Sequence, residues 1–134
     1  MLREAALVLE ALTTLLTFFP SGGDIKIENF GSGATVNFKL HGNYGTLTFL
    51  VIFKDRDNVF IINGLVFPKD LRNQGIFLKI LSGWKRLCER DGCGLFVVQA
   101  VDRLCESLLK RGGTLHGTDD IDIMTMTDFS KNVA

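Results

Sequence analysis

Apolar side chains recur at helical spacing in three parts of the chain. Residues 2–19 carry leucines and alanines three or four residues apart, which predicts an amphipathic helix that ends at the Pro-Ser-Gly-Gly sequence 20–23. From Gln74 to Arg90 the apolar residues, Trp84 among them, lie on one side of a predicted helix and the charged residues on the other. A shorter helix is predicted from Asp102, a residue type that caps helices, to Lys110.

Between the helices, short apolar runs predict β-strands. Residues 24–30, 34–40 and 45–53 are separated by glycine-rich turns, which is typical of an antiparallel meander. Residues 59–67 are almost continuously apolar, as expected of a strand covered on both faces. Further strands are predicted at 95–101, 114–117 and 121–129.

The order of these elements predicts an α+β fold. Strand 59–67 is followed by the long helix and by strand 95–101, and such a unit makes two parallel strands joined by a right-handed crossover. The rest of the sheet is expected to be antiparallel. At 134 residues, 46% of them hydrophobic, the chain is expected to form a single domain over residues 1–134.

Composition and charge argue against several classes of protein. Fifteen basic and fifteen acidic residues cancel, so no overall field attracts nucleic acid or an anionic membrane, although residues 69–90 carry six basic side chains against two acidic ones. No apolar segment reaches the roughly 18 uninterrupted residues of a membrane span. Three cysteines without metal-type spacing argue against a disulfide framework or a zinc site. We therefore expect reduced thiols, no metal and a cytoplasmic location.

The turn at residues 68–75, PKDLRNQG, is the first candidate for chemistry. It joins strand 59–67 to the long helix, and the first N–H groups of a helix have no acceptor within it, so they can bind an anion. Gly75 would let a phosphate approach the backbone, and Arg72 and Lys79 would add positive charge. Ordinary solvated turns share these features, so the residues alone leave both interpretations open.

The sequence around this turn resembles a known cofactor motif. LVFPKDLRNQGIFLKIL, residues 65–81, is similar to the Arg/Gln-x-x-Gly-x-Gly/Ala loop of the GNAT superfamily of acyl-CoA-dependent N-acetyltransferases. Arg72, Gly75 and Phe77 fall on its three fixed positions. DRLCESLLKRGGT, residues 102–114, resembles the second motif of that family.

The resemblance implies both a fold and a cofactor. The fold would be a GNAT-like mixed, mostly antiparallel central sheet with helices on both faces, in which the central parallel strands splay apart around the pantetheine arm of acetyl-CoA. Val66, Phe67, Val98 and Gln99 would border that arm, while loop amides would bind the pyrophosphate. The cofactor-binding residues implied are Phe67, Arg72, Asn73, Gln74, Gly75, Ile76 and Phe77.

Two residues depart from the pattern of the family. Phe77 replaces the small third residue of the loop, and its ring leaves the phosphate site open only if it points into the core. Leu109 stands where the family commonly has the tyrosine that protonates the leaving thiolate, and leucine has no proton to donate. Candidates to replace that tyrosine are Asn63 in the buried strand, Tyr44 in a glycine-rich loop, and the histidines His116 and His41.

These observations leave three classes of function open. The first is an acetyl-CoA-binding N-acetyltransferase, in which an amine of a small molecule or a protein attacks the thioester directly. The second is a catalytically inactive GNAT-like binding or structural module, similar to acetyltransferase-like proteins of tailed phages, some of them associated with the virion. Nucleic-acid binding through the basic helix face has only a local charge excess in its favour. A homodimer is an additional prediction, with strand 121–129 as the pairing edge.

Overall fold

The computed structural model describes residues 2–19, 23–30, 33–40, 46–54, 57–66, 75–98, 100 and 102–130. In this part of the chain, helices and strands follow in the order α1 (Leu2–Phe18), β1 (Gly23–Phe30), β2 (Gly33–Leu40), β3 (Thr46–Lys54), β4 (Asp57–Val66), α2 (Ile76–Asp91), β5 (Gly94–Val97), α3 (Asp102–Lys110), β6 (Thr114–His116) and β7 (Asp120–Asp122).

The seven strands form one sheet in the order β1-β2-β3-β4-β5-β7-β6. Strands β1 to β4 make an antiparallel meander in which consecutive strands are neighbours. β4 and β5 are parallel and are joined through α2, and β7 pairs antiparallel with both β5 and β6. The predicted mixed α+β fold with one parallel strand–helix–strand unit is therefore confirmed.

The C-terminal strand was predicted too long. β7 ends at Asp122, because the Asp122 carboxylate accepts a hydrogen bond from the Met124 N–H at 2.9 Å, and Met126 N–H donates to the Ile123 carbonyl at 3.0 Å. These bonds turn the chain away from the sheet. β7 also lies between β5 and β6, so strand 121–129 is not an edge and the predicted pairing of two copies through it is wrong.

Helices α1 and α2 pack together on one face of the sheet. The Trp84 ring, fully buried on α2, lies 4.8 Å from the Phe60 ring of β4, measured between centroids. Its indole N–H donates to the Ala11 carbonyl of α1 at 3.2 Å, which satisfies the one polar atom of a buried side chain. Trp84 therefore joins the sheet to both helices, as its place on the apolar side of the predicted helix suggests.

The segment after β7, residues 123–130, is attached to α2 and α3. Arg111, buried at the end of α3, donates to the Ser107 carbonyl at 3.1 Å and to the Ser130 carbonyl at 2.9 Å. From the other side, the Lys85 ammonium donates to the Met126 carbonyl at 3.0 Å and lies 5.8 Å from the centre of the Phe129 ring. These contacts hold a segment without regular structure against the two helices.

An exposed ion pair also connects α1 with α2. The Arg90 guanidinium donates to both carboxylate oxygens of Glu10, and Nε donates to the Asp91 carboxylate at 2.9 Å. The hydrogen bond from Arg90 is the main cause that lowers the pKa of Glu10 from its ordinary value of 4.5. Both side chains are about half exposed, so solvent screens the pair and we expect it to contribute less than about 1 kcal/mol.

Glu10→Gln should lower the free energy of unfolding by less than about 1 kcal/mol at pH 7. Because the pKa of Glu10 is lower in the folded chain, its stabilisation is present above the unfolded pKa and is lost as the pH falls through the folded value. Urea titrations should therefore show a difference in the free energy of unfolding between Glu10→Gln and the parent chain at pH 7. That difference should disappear at pH 3. Glu89→Gln, on α2 next to Arg90 but outside this ion pair, controls for net charge. An equal difference at both pH values would contradict the assignment.

Candidate functional site

The two parallel strands separate at their carboxyl ends. Among the residues that the structure describes, β4 and β5 are paired from Val59 opposite Gly94 to Ile62 opposite Val97. One further hydrogen bond, from Val98 N–H to the Ile62 carbonyl at 3.0 Å, closes this ladder. β4 then continues to Val66, still paired with β3 on its other side. Beyond Ile62, no described residue of β5 is paired with β4, and we call this end of the two strands the β4–β5 opening.

A change of partner after Val98 separates the chain from β4. The Ala100 N–H donates to the Asp119 carbonyl at 2.9 Å, in the turn that joins β6 to β7. The backbone is thus bonded to β4 at Val98 and to the β6–β7 turn two residues later. This switch, together with the end of β5 at Val97, corrects the prediction of a strand over 95–101. The change of partner is compatible with the splayed parallel strands that the sequence resemblance implies.

A β-bulge lies where the opening starts. In the β3–β4 ladder, Ile62 is opposite Phe49 and Gly64 is opposite Thr48, so Asn63 is the additional residue. The prediction that Asn63 is a buried amide is wrong, because its side chain is exposed. A bulge bends its strand and redirects the local side chains, which accounts for a polar side chain reaching solvent within an apolar sequence.

Helix α2 begins in a left-handed residue. Gly75 has φ 73° and ψ 9°, and its carbonyl accepts the first helical hydrogen bond, from Lys79 N–H at 3.1 Å. No acidic residue lies in the first turn of the helix to offset the positive end of its dipole. The start of α2 therefore has the geometry and the polarity of an anion-binding helix terminus.

Phe77 points into the core. Its side chain is 9% exposed and belongs to the same buried cluster as Ile80, Leu81 and Trp84. Ile76 is partly buried against that cluster. The bulky third residue of the motif therefore packs under the helix, which is the inward direction that the predicted phosphate site requires. The other implied cofactor residues, Phe67, Arg72, Asn73 and Gln74, lie outside the described residues, as does Gln99.

The structure does not gather the catalytic candidates in one place. His116 lies on β6, with β5 and β7 between it and β4, and its Nε2 is 3.9 Å from the Asp122 carboxylate. The His116 ring meets the Phe96 ring edge to face at 5.7 Å. Leu109 is 36% exposed on α3. Tyr44 and His41 lie outside the described residues, so Asn63 is the candidate that the structure places at the opening.

A cleft on the outer side of α2 was not predicted from sequence. It has a volume of about 410 Å³ and brings the basic side chains Lys79 and Arg86 next to Phe18 of α1 and Phe129 of the C-terminal segment. Its walls come from parts of the chain more than 40 residues apart, so no local pattern signals it. The remaining lining residues are Thr14, Thr17, Ser82 and Gly83.

The cysteines show no sign of a reactive or metal-binding centre. Within the described residues, no three His, Cys, Asp or Glu side chains are grouped so that they could hold a metal ion. Cys88 and Cys93 are buried and form no disulfide, and burial raises the pKa of Cys88 well above its ordinary range. A thiol with so high a pKa is a poor nucleophile.

Neither a family model nor a curated protein matches the chain. In the part of the chain that the structure describes, no helix is long and apolar enough to cross a membrane.

Gly75→Ala should lower the free energy of unfolding by about 1–2 kcal/mol, because a β-carbon is strained at positive φ. Gly92→Ala is the matched control: Gly92 ends the same helix at φ 69°, and an added β-carbon would meet no atom within 4 Å. Urea titration should give similar losses for the two variants, and Gly75→Asn should be milder. A neutral or stabilising Gly75→Ala would contradict a left-handed start of α2.

Proposed function

We propose that this chain is a GNAT-like protein that binds acetyl-CoA at the β4–β5 opening and transfers its acetyl group to an amine. The observation that supports the proposal most directly is the separation of the two parallel strands after Ile62 and Val97. The resemblance in sequence puts the pantetheine arm in such an opening. The remaining features of the implied fold, including helices on both faces of the sheet, stay predictions.

The opening and the start of α2 would bind different parts of the cofactor. No described residue of β5 pairs with the backbone of β4 between Asn63 and Val66, and the polar groups on that side of β4 would bond the amides of the pantetheine arm. The amides at the start of α2 would bind the pyrophosphate, and Gly75 would allow its close approach. Roles for Phe67, Arg72, Asn73 and Gln74 in the preceding loop are predicted from the resemblance alone.

Transfer would need little chemistry from the protein. The amine nitrogen forms a bond to the thioester carbonyl carbon, the C–S bond breaks, and the sulfur leaves as a thiolate. The amine then loses a proton and the thiolate gains one, from solvent or from a side chain. The Asn63 amide would orient a reactant by hydrogen bonding, since a side-chain amide does not act as an acid or a base near neutral pH. Tyr44 and His116 stay candidates for proton transfer.

A second candidate function is binding without transfer. Leu109, at the position of the expected tyrosine, has an apolar and partly exposed side chain that cannot protonate a thiolate. Such a chain would be a GNAT-like binding or structural module, similar to the acetyltransferase-like proteins of tailed phages. It would keep the cofactor site and lack turnover.

Acetyl-CoA should bind the parent chain with a dissociation constant below 1 mM, on the order of the affinities typical for enzyme substrates. In isothermal titration calorimetry, Gly75→Ala should weaken binding at least about tenfold, equivalent to about 1.4 kcal/mol. Gly92→Ala, which strains the opposite end of the same helix, should bind as the parent chain does. An absence of heat at millimolar cofactor, or equal affinity of all three proteins, would refute the proposed site.

An active enzyme should release CoA and form an acetylated amine in equal amounts. Because the chain itself contains three cysteines, a thiol reagent would not report CoA alone, so CoA is better quantified by chromatography and the amine product by mass. Asn63→Ala should slow transfer more than it weakens cofactor binding, whereas Asn58→Ala, at the other end of β4, should do neither. Binding without release across small-molecule and peptide amines would favour the inactive module.

A further inference from the structure

Strand β1 is a long and regular edge of the sheet. Its eight residues pair with β2 without a break in register, from Gly23 opposite Leu40 to Phe30 opposite Gly33. No described strand pairs with its other side. The opposite edge, β6, has only three residues. Since an unpaired strand edge presents a row of backbone donors and acceptors, β1 offers much the longer template for another strand.

Exposed apolar side chains lie beside this edge. Ile25 and Ile27 are 41% and 43% exposed, and they share the sheet face of Phe38 and Val36, their buried partners on β2. That face is the one covered by α1, which contacts both β2 and β3. A patch of isoleucine side chains thus borders the helix on the side where the sheet ends.

Helix α1 extends the patch. Leu9 is 64% exposed and Leu16 is 41% exposed, and their spacing of seven residues puts them on one side of the helix. Residues that contact α2, such as Ala11 and Thr14, lie on another side. Because α2 lies over the β4–β5 half of the sheet, the Leu9–Leu16 side of α1 faces toward β1. We call these four residues, Leu9, Leu16, Ile25 and Ile27, the β1 patch.

The charges on the other face of β1 are complementary to a second copy of the same strand. Asp24, Lys26 and Glu28 alternate in sign, and the Lys26 ammonium is 3.3 Å from the Glu28 carboxylate within the chain. In an antiparallel pair centred on Ile27, each Lys26 is opposite Glu28 of the partner subunit. Each residue from 24 to 30 then lies opposite a residue of β1 in the second copy.

Other registers that keep the same faces together are worse. Centring the pair on Lys26 puts two ammonium groups opposite each other and Asp24 opposite Glu28, so like charges meet throughout. Centring it on Ile25 restores opposite charges but pairs only residues 23–27. The charge pattern and the length of the strand therefore select the register centred on Ile27.

We infer that two copies of this chain form a twofold dimer through β1, with Ile27 opposite Ile27 of the partner subunit and Lys26 opposite Glu28 of the partner subunit. The two sheets join into one, and the β1 patches of the two copies meet on the helix-covered face. This is an isologous contact, in which one surface serves both subunits. The dimer uses a sheet edge that is separated from β4 by β2 and β3. Its test is therefore independent of the cofactor proposal.

Charge exchange tests the register. In sedimentation equilibrium the parent chain should dimerise, and Lys26→Glu, which puts Glu opposite Glu28, should raise the dissociation constant at least about tenfold. Glu28→Lys should do the same. The double exchange K26E/E28K should return it to within about threefold of the parent value, since opposite charges face each other again. Lys110→Glu, on exposed α3, controls for the change in net charge.

Cysteine cross-linking tests the same register by geometry. Ile27→Cys should give a disulfide-linked dimer on mild oxidation, because directly opposed Cα atoms lie about 4.5–5.5 Å apart, within the range of a disulfide. Ile25→Cys should not, because each copy would face Asn29 of the partner subunit. A parent chain that stays monomeric at about 100 µM would overturn the inference. So would a K26E/E28K chain that dimerises as weakly as the single variants, or a cross-linked dimer of Ile25→Cys without one of Ile27→Cys.

Discussion

The parallel pairing of β4 with β5 is the constraint on which the rest of the structure depends. Parallel neighbours cannot be joined by a tight turn, so the chain between them must cross one face of the sheet. Helix α2 makes that crossing, and its Trp84 side chain contacts both the Phe60 ring of β4 and the backbone of α1. The position of both helices on this face therefore follows from the position of two strands.

The same constraint places the candidate site. A crossover helix that follows a parallel strand starts near the carboxyl end of that strand, where ligands of open α/β sheets commonly bind. Here Val98 is the last described residue bonded to β4, and Ala100 is bonded to the β6–β7 turn. This change of partner at the end of β5 supports the proposal of an elongated ligand with an anionic end.

The two edge strands of the sheet, β6 and β1, differ in length and in what lies beside them. β6 is a short edge, and the chain next to it is held in place by the hydrogen bonds of Arg111. β1 is long, regular and bordered by exposed apolar side chains. Strand edges of that kind are usually covered or paired, and the proposed second copy would pair with an edge that no described strand covers.

Most elements and the class of fold could be predicted from the sequence, because hydrophobic periodicity and turn residues act over short distances. The stripe that contains Trp84 predicts α2, and alternation between glycine-rich turns predicts the meander. Strand ends and side-chain exposure could not be predicted in this way. Residues 124–129 continue the strand-like composition, yet the Asp122 carboxylate and the contacts with Arg111 and Lys85 take them out of the sheet.

Some features of the candidate site could likewise be predicted from the local sequence, and others could not. The local sequence around Gly75 contains the turn chemistry that a helix start requires, so its position was predictable from the residues. The inward direction of Phe77, the exposure of Asn63 at a bulge and the separation of β4 from β5 depend on residues distant in sequence. Side-chain direction and strand separation are decided by packing and by competition for backbone partners, and only the folded chain brings those partners together.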